Sequence, residues 1–166
     1  KAELIIVGDD FRFGAQRLAG IEDLRKSGFE LFEIPEIDVK GKRVSSTSIR
    51  EDLKNGRIES VNEFLGRSYS ISGKVVKGDG RGRQMGFPTA NIHIPNDYKL
   101  IPCDGAYAVL VNVEGDQYNG MLNIGNRPTV DGNSRSIEVN LFDFEGDLYD
   151  KRVSVQIKEY LRPETK

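Results

Sequence analysis

Tryptophan is absent from this 166-residue chain, cysteine and histidine occur once each, and methionine occurs twice. A single cysteine, Cys103, cannot close an internal disulfide. That excludes a disulfide framework and sets a reducing, cytoplasmic compartment as the expectation. Aromatic residues are only 8% of the chain, too sparse for a platform on which single-stranded bases stack. Neither sign of charge dominates: 24 basic residues face 26 acidic ones, a net charge of −2. Residues 1–66 carry −2 and residues 67–166 carry zero. Neither half has the basic excess that a phosphate backbone attracts, so nucleic acid is excluded as a partner. The longest apolar runs are Leu4–Val7 and Ala106–Val111, far short of the ~18 residues that span a bilayer. No signal peptide opens the chain, and no membrane partner is expected.

What is present is enough to fold. Hydrophobic residues are 37% and charged residues 30%, spread along the chain, the balance of a globular protein. The chain opens at Lys1 inside an apolar, strand-like run and stops at Lys166. This points to a piece of a longer protein.

Two rhythms divide it. In residues 1–66 strands alternate with helices. Leu4–Val7 is a continuous apolar run closed by Gly8-Asp9-Asp10, the pattern of a buried parallel strand. A helix is expected around residues 17–27, with Leu18, Ile21, Leu24 and Arg25 on one stripe and Gly28 as its stop. Phe29–Ile34 is a second strand, ended by Pro35. Ser45-Ser46-Thr47-Ser48 supplies N-cap residues, with Glu51 three after Ser48 in the manner of a capping box. That helix stops near Gly56, and a last one covers Ile58–Leu65. From Tyr69 the period becomes two. Tyr69, Ile71, Gly73 and Val75 alternate with polar residues, as do Tyr107 to Val113, Ile137 to Leu141, and Val153 to Ile157. Shorter strands are expected at Asn91–Ile94 and Tyr118–Ile124. Short strands with glycine-rich turns predict a small barrel. The fold class is α+β overall: a partial α/β domain over 1–66, then a six-stranded antiparallel barrel over 67–166.

Three pieces could carry chemistry. Gly78-Asp79-Gly80-Arg81-Gly82-Arg83-Gln84-Met85-Gly86 has four glycines that let backbone amides approach an anion, and Arg81 and Arg83 add charge. It suits a flap over phosphates, and equally a plain hairpin loop. Thr89 and Asn91 sit two apart on an extended segment and point to one side. Their oxygens are hard donors suited to Mg²⁺ and phosphate, although an ordinary turn with an Asn cap has the same spacing. Glu138 lies out of phase with Ile137 and Val139, and so faces away from them. It reads as a general base for a hydroxyl or as an exposed strand acid.

Taken in order, these pieces resemble the riboflavin kinase family. The resemblance rests on Gly82-Arg83-Gln84-Met85-Gly86-Phe87-Pro88-Thr89-Ala90-Asn91, Asp104-Gly105-Ala106-Tyr107, Asn123-Ile124-Gly125-Asn126-Arg127-Pro128-Thr129, Ile137-Glu138-Val139-Asn140-Leu141 and Leu161-Arg162-Pro163-Glu164. It covers nearly all of residues 67–164. It implies ATP- and Mg²⁺-dependent phosphorylation of the riboflavin 5′-hydroxyl to FMN. Glu138 would be the base, Thr89 and Asn91 the metal and phosphate ligands, and Gly78, Gly80, Arg81, Gly82, Arg83 and Gly86 the phosphate flap. Asn123 and Arg127 would lie on the substrate side. In the first half, Gly8-Asp9-Asp10-Phe11-Arg12-Phe13-Gly14 and Val44-Ser45-Ser46-Thr47-Ser48-Ile49-Arg50 look like the later motifs of the FMN adenylyltransferase domain that precedes this kinase in bacterial FAD synthetases. Ser46, Thr47, Ser48 and Arg50 would then hold nucleotide phosphates at a helix start.

The sequence departs from the family pattern in four places. The adenylyltransferase needs two nearby histidines, and the one histidine here, His93, lies in the kinase half. Transfer of AMP is therefore not expected of this chain. Position 140 is Asn where the family often has His, and position 150 is Asp where Gly is frequent. A helix that usually follows Leu161-Arg162-Pro163-Glu164 and closes the flavin side is also missing. The readings from other classes are a non-catalytic flavin- or nucleotide-binding module and a barrel with no small ligand.

Overall fold

A computed structural model of the chain describes residues 3–78, 89–95, 99–129 and 132–164. They fall into two units, Lys1–Val44 and Ser45–Lys166.

In the first unit, β1 (Leu4–Gly8) runs parallel to β4 (Glu30–Ile34), with Leu4 opposite Glu30 and Ile6 opposite Phe32. Two strands side by side in parallel need a crossover, and α1 (Ile21–Lys26) lies on that connection. The short pair β2 (Arg12–Phe13) and β3 (Ala19–Gly20) precedes α1, and the hairpin of β5 (Asp38–Val39) and β6 (Lys42–Arg43) follows β4. The expected helix over 17–27 is shortened at its front. Gln16 and Arg17 adopt positive φ angles of 55° and 58°, which a right-handed helix cannot contain. Ala19 and Gly20 pair with β2 instead, and Leu18 is left 82% exposed.

The second unit begins with α2 (Ser46–Lys54) and α3 (Ile58–Leu65). Ser45 caps α2: its Oγ accepts from the Ser48 backbone N–H at 3.0 Å, and the Ser48 Oγ accepts from the Ser45 N–H at 3.1 Å. The reciprocal cap thus joins Ser45 to Ser48, three residues ahead of the expected Ser48–Glu51 pair, because Ser45 is the last residue with extended geometry. Leu53, Ile58 and Val61 are buried in the same apolar cluster as the strands that follow. The two helices therefore fall in the same unit as the barrel. The compact division comes at Val44–Ser45, earlier than the change of rhythm at Gly66-Arg67.

Six strands close a ring in the order β10-β11-β8-β7-β12-β9: β7 (Tyr69–Val76), β8 (Ala90–His93), β9 (Gly105–Val113), β10 (Asp116–Thr129), β11 (Gly132–Leu141) and β12 (Arg152–Arg162). Every rung pair is antiparallel. The alternating phase fills the interior with Ile71, Val75, Tyr107, Val111, Leu122, Ile124, Val139, Val155 and Ile157, each at most 1% exposed. Each such side chain contributes about 1.5–3 kcal/mol on leaving water. Two register shifts in β12, after Ile157 and after Tyr160, return Tyr160 to the inner phase, where its ring meets Tyr107 edge-on at 5.2 Å. Gly73 marks the tightest crossing in the wall. A Cβ there would run into the His93 carbonyl oxygen and lie 2.6 Å from Ile92 Cγ2, so only glycine lets β8 leave the ring past β7. β10 is longer than the expected Tyr118–Ile124. It continues to Thr129, with Arg127 opposite Ser134 and Pro128 opposite Asn133. Arg127 therefore belongs to a strand and not to a turn.

Candidate functional site

The pleat that buries Ile137 and Val139 turns Glu138 to the outer face of the barrel, where it is half-buried. Glu138 is opposite Asn123 on one side and Asn91 on the other. Directly paired residues share a face, so Asn91, Glu138 and Asn123 form one polar row across three strands. Thr89, one residue before β8, donates its hydroxyl to Glu138 Oε2 at 3.1 Å. Gly78, two residues beyond β7, lies against the Asn91 amide. A Cβ at this position would overlap Asn91 Nδ2 and sit 2.6 Å from its Cγ. Residues drawn from four separate stretches of sequence thus meet in one patch. The patch offers hydroxyl, amide and carboxylate oxygens, all hard donors suited to Mg²⁺ and phosphate. Among the described residues no group of three or more His, Cys, Asp or Glu is placed to hold a metal. A cation here would draw ligands from this mixed set and from a phosphate it accompanies.

Gly80, Arg81, Gly82, Arg83 and Gly86 lie outside the described residues, so the flap expectation has no structural counterpart. Arg127 is placed by its backbone in β10 only. Ser46, Thr47 and Arg50 are exposed at the first turn of α2, whereas Ser48 is half-buried and its hydroxyl is committed to the Ser45 cap. His93 is an exposed strand residue opposite Lys74.

A second polar cluster has no counterpart in the sequence expectations. Asp104, one residue before β9, receives Asn126 Nδ2 at 2.7 Å on one oxygen and Arg135 Nε at 3.0 Å on the other. Arg135 also donates to the Pro102 carbonyl, and to that of Ile101 at 3.5 Å. Arg135 falls on the same phase as Ile137 and Val139 but lies past the end of the core, where it is exposed. Beside it, the Tyr107 hydroxyl donates to the Cys103 carbonyl. Burial, with help from Cys103, pushes the Tyr107 ionisation well above its ordinary value. Near the end of β12, Glu164 fills the space over Gly125, and its Oε2 accepts the Asn126 backbone N–H at 3.4 Å.

Comparisons with known proteins bear on the family and the fold. Residues 65–166 match the family model described as Flavokinase: Riboflavin kinase. The chain is 39% identical over 163 residues to the bifunctional riboflavin kinase/FMN adenylyltransferase of Pseudomonas fluorescens, covering 95% of this chain and 52% of that protein. It is 40% identical over 169 residues to the protein of the same description from Escherichia coli K12, covering 99% and 53%. The chain therefore spans about half the length of the curated relatives it matches. A crystal structure described as a macrolide-efflux protein from Streptococcus pneumoniae superposes with a TM-score of 0.87 at 34% identity, covering 99% of this chain and 54% of that one. Among the described residues no helix is long and apolar enough to cross a membrane.

Proposed function

Because this chain belongs to the riboflavin kinase family, we propose that residues 67–166 transfer the terminal phosphoryl group of ATP to the 5′-hydroxyl of riboflavin, giving FMN and ADP. The observation that carries this reading is the row Asn91–Glu138–Asn123, with Thr89 donating to Glu138 at 3.1 Å. Phosphoryl transfer asks for position and charge neutralisation more than covalent help. Glu138 orients the riboflavin hydroxyl and accepts its proton as the oxygen–phosphorus bond forms. The Thr89 hydroxyl, donating to Oε2 at 3.1 Å, helps to fix the orientation of that carboxylate. Thr89 and Asn91 would hold Mg²⁺, which when bound neutralises the phosphate oxygens of ATP. Gly78 keeps the backbone close to the Asn91 amide, and Gly80, Arg81, Gly82, Arg83 and Gly86 are the residues whose amides and charges would meet the phosphates. Asn123 and Arg127 would serve the substrate side. In a bifunctional protein of the kind the relatives are, FMN would then be adenylylated to FAD, with Ser46, Thr47 and Arg50 on the phosphates, whereas the Ser48 hydroxyl, expected there too, is committed to the Ser45 cap. His93 is the one histidine here, so this chain lacks the paired histidines of that second step.

The efflux description belongs to the S. pneumoniae protein. Among the described residues the barrel of this chain has an apolar interior filled by buried side chains.

The test is to incubate the chain with riboflavin, ATP and Mg²⁺ and to separate the flavins by chromatography. FMN without FAD is expected. Glu138→Gln lowers kcat by about 10²–10⁴-fold, the usual range for a lost acid–base group. Near-normal turnover in a folded Glu138→Gln chain removes the base assignment, and a folded wild type that makes no FMN leaves a binding module.

A further inference from the structure

Glu138 stands on the last rung at which β11 has two neighbours. β8 pairs with β11 only through Asn91–Glu138 and Ala90–Val139, and β9 leaves β10 at Gly105–Ile124. Beyond that rung β10 and β11 run on as a two-stranded arm to Thr129 and Gly132. Two-stranded ribbons are marginal in water and twist readily. Any swing of the arm would be levered straight into the position of Glu138.

Beside the Glu164 contact to Asn126, a side-chain clasp resists that swing. Asn126 and Arg135 are opposite each other on the arm, and both hold Asp104. Asp104 Oδ2 takes the Asn126 amide at 2.7 Å, and Asp104 Oδ1 takes Arg135 Nη2 at 2.8 Å and Nε at 3.0 Å. The same guanidinium reaches the Pro102 and Ile101 carbonyls. The 101–104 strap is itself anchored. The Cys103 N–H donates to the carbonyl of buried Leu53 in α2 at 3.1 Å, and the buried Tyr107 donates to the Cys103 carbonyl. Arg135 and Asp104 are each about one-third exposed, at 38% and 32%, so water screens their attraction. What they supply is geometry: a planar fork that ties β11 to α2 across three strands.

We propose that Arg135, with Asp104 and Asn126, is a positioning residue that holds Glu138 in its reactive place. This inference rests on the riboflavin kinase reading for its kinetic consequence and on the geometry alone for its mechanical one. Both are testable on the full chain. Arg135→Met lowers kcat about tenfold, with KM for ATP changing less than about twofold, and Arg135→Lys recovers part of the loss. In a Glu138→Gln background Arg135→Met has little further effect on kcat, because its action passes through the missing carboxylate. Equal losses in both backgrounds, or a pure KM effect, overturn the proposal. Backbone amide exchange gives a readout that needs no turnover. Arg135→Met and Asp104→Asn speed exchange at residues 137–139 about tenfold, with β7 and β12 unchanged. Unchanged exchange at 137–139 overturns the proposal whether or not the chain makes FMN. Exchange that rises there in a chain forming no FMN keeps the clasp and removes the kinase reading instead.

Discussion

Substituting Gly73 by alanine tests how tightly the site depends on the barrel wall. The added Cβ meets the His93 carbonyl oxygen first, then Ile92 Cγ2 at 2.6 Å and the His93 carbonyl carbon at 3.0 Å. Two of these three atoms are backbone, so no rotamer change relieves the overlap. β8 must retreat by about an ångström, the distance back to ordinary van der Waals contact. β8 has only four residues, held by three rungs to β7 and two to β11, so it is the element that yields. Overpacking of this kind costs about 1–3 kcal/mol, and for a chain of this size about 2 kcal/mol lowers Tm by roughly 4–8 °C. The same retreat carries Asn91 and Thr89 away from Glu138. A misplacement near 1 Å in a phosphoryl-transfer site costs up to about 10²-fold in kcat/KM. Circular dichroism melts and steady-state FMN formation read the two effects, with the exposed neighbour Ser72→Ala as a control expected within about 0.5 kcal/mol of wild type. If Gly73→Ala melts and turns over like the control, the close approach of β8 is soft and the argument from wall to site fails.

Two further outcomes follow from the same geometry. Burial and the Cys103 contacts raise the Tyr107 ionisation above its ordinary 10.0, while the unfolded chain still ionises near 10. The unfolded state therefore sheds its proton first, and the contribution present below pH 10 is lost as pH rises beyond it. Buried Tyr69 shifts in the same direction. Urea titrations from pH 8 upward should show stability falling above about pH 10, with a shallower fall in Tyr107→Phe. An equally steep fall in that variant contradicts the assignment. For the metal, Thr89→Ala raises the Mg²⁺ concentration needed for half-maximal FMN formation several-fold. An unchanged Mg²⁺ dependence removes Thr89 from the metal site.

The barrel was legible because each strand shows one face to the core and one to water, so the period of two in Tyr69–Val75, Tyr107–Val113 and Val153–Ile157 survives in the sequence. The polar row was legible for the same reason, since Glu138 broke phase with Ile137 and Val139. Strand extents were harder to read. Asn123 to Thr129 has the composition of a turn, yet it pairs as strand. Among the described residues this segment pairs beyond Ile124 with β11 alone, and proline is tolerated on such an edge. The stripe assigned to residues 17–27 failed at Leu18, since the left-handed geometry of Gln16 and Arg17 is a backbone fact without an apolar pattern. Period also said nothing about which helices pack on which strands, so the rhythm changed at Gly66-Arg67 while the compact unit began at Ser45. The Asp104–Arg135 clasp joins residues 31 positions apart. Such a pairing cannot be named until the strands are laid side by side.

The outward placement of Glu138 on a barrel with a filled interior separates two kinds of evolutionary change. Along β11 Ile137, Val139 and Leu141 face the core, and Glu138 between them faces outward, where the proposed substrate would meet it. Neighbouring codons therefore answer to different selection. A lineage can retune what the outer row binds, one residue at a time, without disturbing the packing directly behind it. The same wall that fixes the chemistry leaves its specificity free to drift.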